Sequence, residues 1–247
     1  MLFRSIEFAN TGNLATSSIF TGTGNIVGSN TGTTNLASTV STTAGDVTLA
    51  SSGAMTVNGL VRSLSGNVGL TASSITQNNT VSAGGTGSVS LKATGGAITM
   101  GSSVTTTTNG GNIVYEATGN ITLGLLRATT GAVNAPSGDV IVKSGAQIAD
   151  ANGNFINNVL ANNIALIAAT GINLDVKEAG VLAAQTTSGS LVIRDLNCGP
   201  RVVTGEAEFS FDFLAALYSM LGLQGNLDKL ASIKDDDTGT RKRGRQV

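Results

Sequence analysis

The chain is 247 residues long, carries a formal net charge of −1, and has 12% charged and 4% aromatic residues, 33 Gly, one Cys and no His. That balance offers no electrostatic attraction for nucleic acid or an anionic membrane, no His/Cys cluster for a metal or metal-bound cofactor, and no internal disulfide for Cys198. With 40% apolar residues it is not a core-less disordered chain, so its core is expected to be thin and built of Val, Ile and Leu.

The opening "MLFRSIEFANTGN" lacks the apolar centre of a signal peptide, and Met1–Ser5 reads as an assembly scar. From there a repeat dominates. Aligned on the Gly before a Val/Ile/Leu pair, units start near Gly24, Gly45, Gly66, Gly87, Gly111, Gly138, Asn162 and Gly189, spaced by 21 residues at first and by up to 27 later. The first column, Gly with one Asn, reads as a turn favouring positive φ. The next column is Asn25, Asp46, Asn67, Ser88, Asn112, Asp139, Asn163 and Ser190, all short side chains able to hydrogen-bond turn backbone. Then Val47, Val68, Val89 and Ile113 alternate with Leu49, Leu70, Leu91 and Tyr115, the period-two signature of a strand with one buried face.

A second short strand follows in most units, carried by Met55/Val57, Ile98/Met100, Ile121/Leu123 and Ile172/Leu174. A third, less regular side holds Val61, Val81 and Val104. Identical residues stacking at this period predict an all-β chain, a parallel β-helix of about eight coils, each rising about 4.8 Å and contacting only its neighbours.

The pattern ends near Val203. The last 47 residues hold almost as many charges (14) as the first 200 (15), and four of the nine aromatics lie between Phe209 and Tyr218. The expected organisation is therefore a solenoid over 1–203 and a C-terminal cap or tail over 204–247. "EFSFDF" suits a strand, "FLAALYSMLGLQGNLDKLASI" suits a helix with Phe213, Leu217 and Leu221 on one face, and "KDDDTGTRKRGRQV" suits a disordered end. No run of 18 apolar residues exists, so no transmembrane helix is expected.

Candidate contact residues lie on the outward positions of the first strand. Thr48, Gly69 and Ser90 give way to Val114, Ile141, Ala165 and Val192. Such a stripe, if exposed, marks a contact surface; the Phe209–Leu221 segment folding back as a cap is one expectation and a protein partner the other. The next outward column, Lys92, Glu116 and Lys143, alternates in sign on consecutive coils and predicts weak cross-strand ion pairs.

Carboxylates are poor candidates for glycosidase chemistry. Asp46 and Asp139 are four coils apart, about 19 Å, beyond the separation of a catalytic pair; Asp175 and Glu178 have no basic or aromatic group placed beside them by the sequence. "VTTTTNG" reads as a loop-like Thr cluster rather than a Thr array, and Leu174-Asp175-Val176, an integrin-type tripeptide, has its Leu predicted inward.

Repeats such as "SGNVGLTASSITQNNTVSAGG" and "TGGAITMGSSVTTTTNGGNIVYEATGNITL" resemble the passenger repeats of filamentous-haemagglutinin-type adhesins, over about residues 10–200. The resemblance implies a right-handed β-helix, two-partner or autotransporter secretion from a Gram-negative bacterium through an outer-membrane pore, and adhesion to host-cell or bacterial surface glycans or proteins. It carries over no catalytic residues, cofactor or metal. Neither a secretion domain nor a membrane barrel is visible, so the chain is expected to be the end or a fragment of a longer secreted protein. The expected role is a non-catalytic adhesive stalk. The alternatives are a β-helix polysaccharide-active or glycan-binding domain and a self-assembling filament subunit.

Overall fold

A computed structural model describes residues 5–130, 135–178, 180–195 and 201–203. The chain divides into a unit spanning Met1–Ala207 and a second spanning Glu208–Val247. The expectations of a strand, helix, cap and disordered end beyond residue 203 fall outside the described residues, as does most of Met1–Ser5.

The described part of the first unit is a right-handed parallel β-helix of about nine turns. One side is a nine-stranded sheet that begins with Ile6–Asn10, Ile26–Asn30 and Val47–Ser51 and ends with Ile164–Ala168 and Leu182–Thr186. Every pairing within it is parallel and in register, as in Val68↔Val89, Leu70↔Leu91 and Ala72↔Ala93. The second and third sides carry shorter strands, such as Met55–Val57 and Val61–Ser63, that pair in parallel with the coils above and below. Alternate residues point inward and stack on themselves. Ile26, Val47, Val68, Val89, Ile113, Val140 and Ile164 form one column with at most 1% of their surface exposed. The core is thus a thread of aliphatic side chains, each removed from water by its own equivalents in the adjacent coils.

The corner before the first side explains the two most regular sequence columns. The glycines are there for closeness more than for positive φ. Within that column only Gly45 and Gly189 have positive values, 133° and 82°. A Cβ on Gly66, Gly87, Gly111 or Gly138 would instead stand 2.0–2.2 Å from the carbonyl oxygen of the glycine one coil below. The polar column next to it is a ladder. The side-chain oxygen of each coil accepts the backbone N–H one coil further on: Asn25 Oδ1 from Asp46 (2.9 Å), Asp46 Oδ1 from Asn67 (2.7 Å), Asn67 Oδ1 from Ser88 (2.9 Å), and onward through Asn112 and Asp139 to Asn163, which accepts from Val181 (2.9 Å). The corner N–H groups, which no strand ladder reaches, are satisfied this way.

Three elements differ from expectation. A coil precedes Gly24: Ile6 pairs with Ile26, and Phe8 lies where a Cβ on Gly28 would meet its ring at 2.2 Å, so one aromatic from the end coil fills the gap left by the missing side chain. The last coil is short. Ile164 pairs with Leu182, so the turn lies at Gly180, whose N–H donates to the carbonyl of Asn162 (2.8 Å), and not at Gly189. The Gly189 segment belongs to the second side, where Leu191 pairs with Ile172. Finally, "TTTTN" is a strand, Thr105–Asn109, on the third side; Thr106, and not Val104, pairs with Val81.

Candidate functional site

The charged ladder forms as its spacing implies. Lys92, Glu116 and Lys143 are register partners on consecutive first-side strands. Lys92 Nζ lies 3.0 Å and Lys143 Nζ 3.8 Å from the two oxygens of Glu116. All three stay substantially in solvent, so the pairs bias register and contribute little else. They border an open groove of about 450 Å³ that crosses the coils, with Thr94, Thr118 and Thr187 along it.

The apolar stripe is corrected in two respects. Val114, Ile141 and Ala165 are stacked as expected, but even Val114 is half-buried, and Ile141 and Ala165 are only 3% and 1% exposed. Ile141 is therefore not an available contact. Val192 is not in the stripe at all. It pairs with Asn173 on another side, and Ala183 takes its place beside Ala165. The error follows from the shortened last coil, whose corner residue is Val181, so that the polar marker used for alignment is missing there.

Two polar clusters were not anticipated. In the middle of the core, Tyr115 from the first side, Gln77 from the second and Thr106 from the third meet, none with measurable exposure. Tyr115 Oη donates to Gln77 Oε1 (2.7 Å) and lies 2.7 Å from Thr106 Oγ1, while Gln77 Nε2 donates to Thr106 Oγ1 (3.0 Å) and the carbonyl of Asn79 (3.1 Å). Burial pushes the Tyr115 hydroxyl well above the ordinary tyrosine value, so it remains a neutral donor. The sequence hint was that Gln77 and Tyr115 each break an aliphatic column.

The second cluster surrounds Asp175, and it does set a basic group beside that carboxylate. Arg194, its register partner, donates through Nε to Oδ1 and through Nη2 to Oδ2 (3.3 Å). Asp175 is 0% exposed, so it is a structural anchor that a polymeric substrate does not reach. Asp46 and Asp139 are likewise occupied as acceptors in the corner ladder. Leu174 is buried in the core, so the Leu-Asp-Val tripeptide is not displayed.

Asp175 Oδ2 also accepts the N–H of Phe155 (2.8 Å), at the tip of the loop joining Gln147–Asp150 to Val159–Ala161. Asp150 Oδ1 accepts from the N–H of Asn152 (2.6 Å) and from Asn158 Nδ2 (2.7 Å), and Asn152 Nδ2 donates to the carbonyl of Gly124 (2.8 Å).

Among the described residues no group of three or more His, Cys, Asp or Glu is placed to hold a metal ion, and no helix is long and apolar enough to cross a membrane. No family model, curated protein or solved structure matches the chain.

Proposed function

We propose that the chain is a non-catalytic stalk segment of a large secreted bacterial adhesin, exported through an outer-membrane pore and presented at the surface of a Gram-negative cell. The observation that carries this reading is the unbroken stack: a nine-stranded in-register sheet bound corner to corner by one directional side-chain ladder. Such a stack is stiff along its axis because every coil is bonded to the next by strand ladders on three sides. Its outward positions hold small, polar and weakly paired groups, which suit a spacer with low-affinity, multiply repeated contacts.

Beads coated with the full chain test this. They are expected to adhere to cultured epithelial cells or to bacterial cells more than beads coated with an unrelated β-helix of similar charge. Equal adhesion would remove the adhesive role, and reproducible release of sugars from a polysaccharide by the chain would replace the stalk with an enzyme.

A further inference from the structure

The loop 150–158 combines rigid anchoring with an apolar tip in water. Phe155 is 63% and Ile156 55% exposed. Phe155 also has φ of 69°, a left-handed conformation that a bulky residue rarely adopts. That strain persists because the surroundings impose it: Asp175 holds the Phe155 N–H, Asn158 Nδ2 bonds the carbonyl of Leu123 (2.9 Å), and Asn152 Oδ1 accepts from the N–H of Ser103 (2.9 Å). Ser103 is the other non-glycine residue with positive φ among those described, at 63°. Two strained residues and a buried ion pair thus serve to present one aromatic ring to solvent.

We infer that this tip is a binding site for a neutral glycan, with the Phe155 ring as a platform for a pyranose and the exposed Asn154 amide as a hydroxyl partner; the inference rests on the adhesive reading above and names its ligand. Charge comes first. Residues 145–158 contain no Lys or Arg, and their one carboxylate, Asp150, is engaged within the loop; the cations of the adjoining strands, Arg127 and Lys177, flank Leu160 at the loop's base, so the tip itself carries no charge to select an anionic ligand. Size comes second. At 63% exposure of a side chain of roughly 200 Å², Phe155 offers about 130 Å². A stable protein contact needs about 800 Å² per partner, whereas one sugar ring needs an area of this order. Chemistry comes third. Asn154, which directly precedes Phe155 in the chain, lies in solvent. Amides both donate and accept, as sugar hydroxyls require. Ile156 extends the apolar edge.

The test titrates the full chain with maltohexaose, cellohexaose and chitohexaose and follows aromatic side-chain signals by NMR. At least one sugar is expected to bind in the millimolar range, with the Phe155 ring shifted. Phe155→Ala should weaken binding at least tenfold, Phe155→Trp should retain it, and Phe20→Ala, which removes the equally exposed ring of a regular strand, should leave it unchanged. Phe155→Gly separates presentation from folding: relief of the positive φ raises the melting temperature while binding is lost. Binding that survives Phe155→Ala, or no binding of any of the three sugars, overturns the inference. If the sugars fail yet Phe155→Ala abolishes bead adhesion, the tip docks a protein and the stalk reading stands; if the beads never adhere, the stalk reading itself falls.

Discussion

The coils before residue 93 and those after it reach the same architecture by different means. In the early coils the first-side strands recur every 20 or 21 residues and most positions repeat their predecessors, so Val68 meets Val47 and Val89, and Asn67 continues the ladder of Asp46. In the later coils the loops lengthen. There the stack is held by single-use devices: the Tyr115–Gln77–Thr106 cluster, the Asp175–Arg194 pair and the amide-anchored loop over residues 150–158. Repetition makes stability a sum of like terms. Irregularity concentrates it in a few buried polar groups, which are costly to leave half-satisfied.

That contrast can be broken from either end. The largest effect is expected from Val89→Asp, which places a carboxylate in the aliphatic thread and should cost about 4 kcal/mol or more. Denaturant melts should show the loss, and hydrogen exchange should localise it to the adjacent coils. Next is Asp175→Ala, which strands Arg194 among buried groups and should cost about 3–5 kcal/mol. A double replacement, Asp175→Leu with Arg194→Met, should recover most of that, while freeing the Phe155 N–H.

Tyr115→Phe should cost about 1–3 kcal/mol by leaving Gln77 Oε1 poorly satisfied. It should also change the response to alkali. Because folding raises the Tyr115 value above its ordinary one near 10, its contribution is complete below about pH 10 and is lost as the pH climbs beyond it. The parent should weaken in that range more steeply than the Phe variant. Asn67→Ala, which removes one rung of the corner ladder, should cost about 1 kcal/mol. Lys92→Ala should cost a few tenths of a kcal/mol, about the worth of an exposed pair, and nothing measurable in about 1 M salt.

The regular coils were legible because a column of Gly, a column of short polar side chains and two aliphatic columns recur together. Their roles were less so. The glycines looked like turn formers, yet most are fixed by a carbonyl one coil away, a constraint that appears only when coils are stacked. The first coil escaped notice because Ser5, and not Gly-Asn, precedes Ile6. The last was misplaced because Val181 replaces the polar marker, and Val192 was carried into the stripe with it. Of the candidate contacts, Lys92, Glu116 and Lys143 depended only on coil-to-coil spacing and meet as read. Asp175 and Phe155 could not be read, because their partners lie across loops whose length follows no period.

The central claim is the parallel, one-coil-per-step stack, and a distance along it tests that directly. With Cys198→Ser as background, spin labels at Ala50 and Lys143 sit in the same outward column, joined through Thr71, Lys92 and Glu116 by four successive register steps. Pulsed electron–electron resonance should give a narrow distribution near 19 Å, four spacings of about 4.8 Å. A broad distribution, or a distance beyond about 30 Å after allowance for the label arms, would contradict the stack.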